Sequence, residues 1–428
     1  MDRLKSILFI ENKAIVCLFL FFLAVTSCTD PYALQTNSYE EAIVIEATIT
    51  NELKNQEIKV SRTYRFEENG PTTESGATVY VTDNLGKQYD FAEKQGVYVS
   101  KTAFQAEPNK EYRLRVITKD GNSYTSRSET LTNQNEIESL TTNVTTIDNE
   151  KGIQIIVNSF DPSGKSRYYR YEYDETYKVI APKWVDTEAF TTIFKNNPKE
   201  IGEIILQPRS PKEVRTCYST KKSETILLSN TNNLIEDRVN FPVRFISSSD
   251  YIIMNRYSIL VKQYIQNLAA YTYYQTLKEI SGSESLLSQN QPGFFSGNIK
   301  SDTNQNQKVI GYFEVSSYSE KRIFFNFSDV FPKEEIPKYP YNCPVVLTED
   351  QKKEYVLKYC FDLPPTAVDC KGLTVINKLA TKEFIYYGGY NNFGKIPFDG
   401  SVFIEMYPIQ CGDCTSFSSN IKPLFWID

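Results

Sequence analysis

The sequence predicts a mainly β protein with two β-rich domains, one long helix and a disulfide-rich C-terminal part. Three observations support this prediction. Short segments that alternate apolar and polar residues, separated by turn residues, recur through most of the chain. One segment combines helical spacing of apolar residues with enough length to form a substantial helix. Five of the six cysteines after residue 28 lie in the last third of the chain, beside several prolines.

Residues 1–27 have the pattern of an export signal. The apolar run Ala14–Val25 has twelve residues, whereas a membrane-spanning helix needs about 20. It leads into VTSC at 25–28, which resembles the lipobox of bacterial lipoproteins, whose cysteine thiol receives a diacylglycerol. We therefore expect lipidation at Cys28; the alternative is a plain signal peptide that happens to end near a cysteine. An aspartate directly after the cysteine would resemble known signals for retention in the inner membrane, but Thr29 stands there, so we expect delivery to the outer membrane.

Residues 28–41 are polar and lack periodicity, so we expect a tether. Residues 42–131 consist of short alternating segments. In segment 112–116 Tyr, Leu and Val share one face, while the two arginines point to the other, where a solvated surface is expected in preference to an anion site. Asp120 and Gly121 predict a hairpin turn. Together these features predict an immunoglobulin-like or transthyretin-like β-sandwich.

Residues 132–147 are rich in Thr and Asn and are predicted to form a linker to a second β-rich domain, residues 148–428. In this domain Tyr169, Tyr171 and Tyr173 alternate, which places three rings on one face of a strand. Such a face is a candidate surface for a glycan or a protein partner. The alternative is packing inside a sandwich with the hydroxyls near the rim.

The long helix is predicted over residues 257–280, where apolar residues recur three and four positions apart. Ser281 and Gly282 supply the stop signal. From about Phe331 the chain is rich in loops and prolines, and disulfides are expected to compensate for sparse regular structure.

Six cysteines remain after the signal and the anchor, an even number that predicts three disulfides in an oxidising compartment. They are Cys217, Cys343, Cys360, Cys370, Cys411 and Cys414. The sequence does not choose among the fifteen connectivities that six cysteines allow. A redox role for the CxxC pair at 411 and 414 is disfavoured because no βαβ pattern surrounds it, and no second CxxC is present to complete a zinc site.

The chain contains no histidine. This absence excludes Ser-His-Asp and Cys-His catalytic sites together with histidine-containing zinc sites. The formal net charge of −6 becomes −7 once the signal's three basic and two acidic residues are removed, which disfavours nucleic acid as a partner. Enzymes built only on carboxylates remain open to this chain, but we expect no enzymatic activity, no cofactor and no metal.

Several short segments, in their order and spacing, resemble a known family. They are SGATV (75–79), GNSY (121–124), DPSGKSRYYRYEYDETYK (161–178), GNI (297–299), VIGYFEV (309–315), CGDC (411–414) and KPLFW (422–426). The mature chain resembles the Bacteroidota lipoproteins of domain of unknown function 4249. The resemblance implies an outer-membrane lipoprotein, often encoded beside TonB-dependent-receptor-like barrels, and it carries over no catalytic residues.

We accordingly expect a non-enzymatic lipoprotein, anchored in the outer membrane, that acts as a binding or scaffold partner of an outer-membrane barrel in transport or assembly. The alternative is a surface adhesin or glycan-binding lipoprotein that uses the tyrosine face or Trp184. A carboxylate-dependent hydrolase built on Asp174 and Glu175 ranks last, because adjacent strand residues face opposite sides. The mature chain is expected to face the cell exterior, with the periplasmic leaflet as the alternative.

Overall fold

The computed structural model describes residues 42–64, 70–192, 203–209, 214–282, 297–344, 379–389, 394–395 and 404–428. The predicted fold class is confirmed, since these residues are mainly β, with several sheets, one long helix and two disulfides. The export signal (1–27) and the tether with Cys28 (28–41) lie outside the described residues. No helix in the described part of the chain is long and apolar enough to cross a membrane.

The strands up to residue 147 are β1 (Ile43–Thr50), β2 (Glu57–Arg62), β3 (Thr72–Thr73), β4 (Thr78–Asp83), β5 (Gln88–Lys94), β6 (Val97–Ser100), β7 (Glu111–Ile117), β8 (Ser123–Ser126), β9 (Glu129–Thr130) and β10 (Ile137–Ile147). The next strands are β11 (Glu150–Asp161), β12 (Tyr168–Ile180), β13 (Thr187–Thr192), β14 (Glu203–Pro208), β15 (Thr216–Lys222), β16 (Leu227–Asn230), β17 (Asp237–Ser247) and β18 (Arg256–Gln266). The last strands are β19 (Ile299–Ser301), β20 (Val309–Asn326), β21 (Phe384–Gly388), β22 (Gly394–Lys395) and β23 (Glu405–Pro408). The helices are α1 (Leu268–Gly282), α2 (Phe327–Val330) and α3 (Ile409–Gly412), with 3-10 turns at Tyr251–Ile253 and Cys414–Ser416.

Distant parts of the chain build the first core. On β7, Tyr112, Leu114 and Val116 are buried, as their alternation predicted. Ile299 from β19 and Phe313 from β20 pack into the same core. Residues outside 42–131 therefore complete the sandwich that this range begins.

Strand β20 connects the two cores. Its first part runs parallel to β1, with Val309 opposite Ile43, and its second part runs antiparallel to β18, ending with Asn326 opposite Arg256. Gly311 lies where β20 approaches β1 and has a φ of +140°, and a Cβ there would lie 2.0 Å from the Ile45 carbonyl oxygen. Glycine is required at this crossing because no larger residue fits.

The second core is a sandwich in which the sheet β10-β11-β17 faces strands β12, β18 and the end of β20. Ile153 and Ile155 of β11 pack with Tyr169 of β12 and Tyr257 of β18. The prediction of a linker over 132–147 was wrong, because most of this range forms β10. Its threonines are β-branched and pair well in a strand, although they also occur in linkers.

The predicted helix 257–280 is corrected in its first half. Residues 257–266 belong to β18, in which Tyr257, Ile259 and Val261 alternate into the core. The helix itself is α1, whose first turn is capped by the Asn267 Oδ1 atom, which accepts a hydrogen bond from the Ala270 N–H at 2.8 Å. Apolar residues on both faces of β18 mimic helical spacing, which explains the error.

Two disulfides join distant segments of the chain. Cys217 bonds to Cys414, 197 positions apart, and Cys343 bonds to Cys411, 68 positions apart. The two cysteines of the CxxC pair therefore have separate partners. Cys360 and Cys370 lie outside the described residues, so the third predicted bridge stays a prediction.

Candidate binding surface

The predicted tyrosine face lies inside the protein. Tyr169 and Tyr171 are 0% and 1% exposed. Tyr169 donates a hydrogen bond to Asp237 at 2.8 Å, and Tyr171 donates one to Gln263 at 3.1 Å. Tyr173 is half-buried. The assignment of these three rings to a partner or glycan face is thus corrected: the alternation points the first two into the second core, where a ligand cannot stack on them.

The candidate acids Asp174 and Glu175 lie in separate ion pairs. Glu175 is buried and accepts hydrogen bonds from the Arg244 guanidinium at 3.1 and 3.2 Å and from the Tyr257 hydroxyl at 2.7 Å. Asp174 accepts a hydrogen bond from Lys262 at 2.7 Å. The two carboxylates do not face each other, which matches the expectation for neighbours on a strand.

A buried ionic network lies where the two cores meet, and we call it the junction network. It consists of Arg170, Glu172, Gln266, Glu314 and Ser316. Arg170 donates to Glu314 at 3.2 Å and also pairs with Glu172. Gln266 donates to the second oxygen of Glu314 at 3.2 Å, and Ser316 donates to the same carboxylate. Both central charges are buried, so they hold strands together rather than meet a substrate.

Aromatic rings cover the arginine of the junction network. The guanidinium carbon of Arg170 lies 4.1 Å from the ring centroid of Tyr264 and 4.8 Å from that of Tyr274. These contacts are cation–π interactions in a desolvated setting. They tie helix α1, which carries Tyr274, to the sheet below it.

Glu129 connects the first core to the start of helix α1. It accepts hydrogen bonds from Asn298 at 2.7 Å, from Asn267 at 2.8 Å and from the Tyr312 hydroxyl at 3.2 Å. Burial raises the pKa of Glu129 despite these hydrogen bonds. Sequence reasoning missed this cluster and the junction network because their members are far apart in the chain.

Exposed apolar side chains are concentrated near the end of the chain. We call Ser419–Asp428 the C-terminal segment. Ile421, Leu424, Phe425 and Ile427 are exposed, and Ile427 retains 62% of its accessible surface. Exposed apolar side chains gathered in one short segment of a folded protein make that segment a candidate interaction site.

Trp426 anchors the C-terminal segment to the fold. It is 5% exposed, and its ring centroid lies 5.0 Å from that of Tyr218 and 5.7 Å from that of Phe324. Upstream, Ser419 forms a β-bridge with Tyr218, with N···O distances of 2.7 and 3.3 Å. The exposed side chains are therefore presented from a fixed backbone.

Asp428 fixes the far end of the C-terminal segment. It accepts hydrogen bonds from Lys422 at 2.6 Å, from Lys178 at 3.1 Å and from the Trp426 ring N–H at 3.2 Å. The hydrogen bond from Lys422, followed by that from Lys178, holds the pKa of this carboxyl well below its ordinary value. The carboxylate stays ionised at neutral pH and keeps both lysines at the rim of the apolar surface.

A cleft of about 480 Å³ adjoins the C-terminal segment. Its walls include Lys178, Ile180, Met254, Arg256, Phe331 and Ile336. Arg256 donates to the Ile427 carbonyl and to the Asn326 side chain, so the cleft and the segment share one support. The cleft is large enough to receive a side chain from a partner that covers the segment.

Chemically, this arrangement fits binding. Exposed apolar side chains and three basic residues that bond to the same segment, Lys178, Lys422 and Arg256, are both available to a partner. Within the described ranges no group of three or more His, Cys, Asp or Glu residues is placed to hold a metal ion. The sequence signal that was overlooked is the spacing of Ile421, Leu424 and Ile427 in a non-helical segment.

The fold and this surface define a mainly β, disulfide-bonded protein of two joined cores with a fixed, exposed apolar segment. The chain belongs to the family described as Domain of unknown function (DUF4249), which matches residues 29–322. No curated protein matches the chain. A solved structure described as "Biofilm associated protein - BSP domain" is similar at 8% identity over 86% of this chain and 76% of that chain. Its TM-score of 0.16 is too low to inform fold or function.

Proposed function

We propose that this protein is a non-enzymatic lipoprotein, anchored in the outer membrane through Cys28, that docks on an outer-membrane β-barrel through its C-terminal segment. The observation that carries the proposal is the exposed apolar surface of that segment, held in place by Trp426 and Asp428. A surface fixed in advance loses little conformational entropy when a partner covers it.

The anchor is supported by the VTSC motif at 25–28. Strand β1 begins at Ile43, fifteen residues after Cys28, and an extended chain of that length reaches about 50 Å. The first core would therefore stay close to the membrane surface. Tethering also raises the local concentration of any membrane partner, so a modest interface suffices.

A barrel of the TonB-dependent-receptor-like type is the proposed partner, on the grounds of the family resemblance. Because the binding faces of such receptors open outward, we propose that the chain faces the cell exterior; the periplasmic leaflet is the alternative location. The glycan-binding alternative has lost its main support, since Tyr169 and Tyr171 are buried. Trp184, its other candidate residue, packs against the second core.

Co-isolation in mild detergent tests the docking role. The variant Leu424→Ser/Ile427→Ser removes two exposed side chains of the C-terminal segment, and Leu85→Ser/Leu234→Ser removes two exposed leucines elsewhere as the matched control. Each apolar side chain buried in an interface contributes on the order of 1 kcal/mol, so the loss of two should weaken docking about thirtyfold, and recovery of a heat-modifiable barrel should fall for the first variant only.

The control variant should recover as much barrel as the unaltered chain does. Equal losses for the two variants would contradict a role for the C-terminal segment. Absence of any heat-modifiable barrel with the unaltered chain would contradict the docking role as a whole.

A further inference from the structure

Among the residues that the structure describes, strand β10 forms an open edge of the second sandwich. In the sheet order β10-β11-β17 its one strand partner is β11. From Ser139 to Ile147 the strand contains no charged residue and no proline. An edge of this kind presents unpaired backbone N–H and C=O groups to any strand that approaches.

Two other edges of the fold carry protective features. Strand β17, at the opposite edge of the same sheet, contains Arg238, Pro242 and Arg244. Proline and charged residues on an edge strand prevent pairing with a further strand. Strand β15 ends in Lys221 and Lys222, and Ser419 bridges its middle. Strand β10 has neither type of protection between Ser139 and Ile147.

Beyond Leu140, which packs against the second core, the inner face of β10 is also uncovered by any described residue. Val144 lies opposite Ile153 on the same face of the sheet, yet Val144 is 42% exposed while Ile153 is fully buried. Only the beginning of β10 is covered, where the Ile137 N–H donates to the Ser319 hydroxyl at 3.1 Å. An added strand would therefore find both a free edge and an apolar side chain to pack against.

A tight turn holds this edge in place. Asp148 and Asn149 connect β10 to β11 and have positive φ values of 51° and 65°. Two consecutive residues with positive φ form a type I′ hairpin turn, whose twist matches that of the two strands it connects. The edge is therefore ordered before any partner arrives, which lowers the entropic cost of strand addition.

Charges at the two ends of β10 indicate what kind of strand fits. Glu136 and Glu138 precede the uncharged stretch, and Asp148 and Glu150 follow it, all of them exposed. If a second copy paired antiparallel about Asn143, Glu138 of each copy would lie opposite Asp148 of the other, at both ends of the pair. Like charges directly opposite each other destabilise a strand pair. A partner strand with basic ends is favoured instead.

We propose that β10 accepts an extended segment of a partner protein by strand addition, and that this segment has an uncharged, β-branched centre flanked by lysine or arginine. Backbone hydrogen bonds along Ser139–Ile147 supply the binding, and the four flanking carboxylates select the partner. This inference deepens the proposed binding role and rests on it, but the site is distinct from the C-terminal segment.

A designed peptide tests the proposal on the full chain purified in detergent. The probe is Lys-Lys-Thr-Val-Thr-Val-Thr-Val-Thr-Lys-Lys, and its control replaces every lysine by glutamate. We expect saturable binding of the basic probe, with slowed amide hydrogen exchange along β10 and unchanged exchange along β17. Because several surface charge pairs, each of modest strength, distinguish the two probes, the basic probe should bind about tenfold more tightly than the acidic one.

Variants assign the binding to this edge. Val144→Lys places a charge on the uncovered face and should abolish binding, while Ile235→Lys, at a fully exposed position elsewhere, should leave binding unchanged. Glu138→Lys/Glu150→Lys leaves two negative and two positive charges at the ends of β10, so it should abolish the preference for the basic probe over the acidic one. Binding that survives Val144→Lys, or no binding by the unaltered chain, overturns the proposal.

Two further outcomes separate this proposal from others. Concentration-dependent dimerisation that Val144→Lys abolishes would identify a second copy as the occupant and overturn the basic-partner proposal. Peptide binding without barrel recovery would support strand addition while the barrel-docking role fails. Barrel recovery without peptide binding would support the barrel-docking role while the strand-addition proposal fails.

Discussion

The junction network predicts a large loss of stability when one of its central charges is removed. Glu314→Gln leaves the buried Arg170 guanidinium without its buried counter-charge. Breaking a buried ion pair in this way costs about 3–5 kcal/mol. Glu172 still pairs with Arg170, and its side chain is 44% exposed. We therefore expect about 3 kcal/mol, the lower end of that range.

Urea unfolding under oxidising conditions measures this loss. Arg170→Met and the double variant Arg170→Met/Glu314→Gln complete a mutant cycle, in which the two changes should be clearly non-additive because the residues are in direct contact. The matched control is the exposed pair of Arg238 and Glu236, whose N···O distance is 3.3 Å. Glu236→Gln should cost less than about 1 kcal/mol.

The reasoning about the junction network would be refuted by a small effect. If Glu314→Gln lowered the free energy of unfolding no more than Glu236→Gln does, the buried ion pair would contribute no more stability than the exposed one. Additivity of the two single changes would likewise show that Arg170 and Glu314 are not coupled.

Four further predictions follow from the structure and the sequence. Cys217→Ser/Cys414→Ser should lower stability by about 2–5 kcal/mol and expose the C-terminal segment to proteolysis; unchanged cleavage there would contradict the role of the bridge. Burial alone would raise the pKa of Asp161, but hydrogen bonds from Ser163 and Ser166 lower it to about 2. Its stabilising contribution is therefore complete above the ordinary value of 3.8 and is lost as pH falls through about 2. In the Asp161→Asn variant the free energy of unfolding should depend less on pH within that range, and an unchanged pH dependence would refute this. Thiol labelling of the unfolded, unreduced chain should find no free cysteine among the six mature ones, and two or more reactive thiols would contradict three bridges. Cys28→Ala should yield an unprocessed precursor or a soluble form, and full retention in salt-washed outer membrane would show that lipidation is not the anchor.

Local patterns predicted the strands well where one face is buried and the other is solvated. Segment 112–116 is an example, because its alternation directly reports which side chains face the core. The pattern misled at residues 257–266, where β18 is apolar on both faces and therefore resembles a helix. In segment 132–147 the exposure of both faces left only threonine-rich composition, which does not separate a strand from a linker.

Contacts between residues that are far apart in the chain could not be predicted from the sequence. Parallel pairing of β1 with β20 joins residues more than 260 positions apart, and no local signal specifies it. No local signal specifies the pairing of Arg170 with Glu314 or the connectivity of the disulfides either. The tyrosine alternation of β12 was correctly recognised, but the presence of an opposing sheet decides whether such a face is core or surface.

Site-specific photo-crosslinking in intact cells tests the proposed barrel docking most directly. A photoreactive residue replaces Leu424 in the C-terminal segment, and the control replaces Leu85, which is also exposed. We predict an adduct with a heat-modifiable outer-membrane barrel from position 424 alone, and its loss when Cys28→Ala is added. No barrel adduct from position 424, or equal adducts from the two positions, would contradict the proposed function.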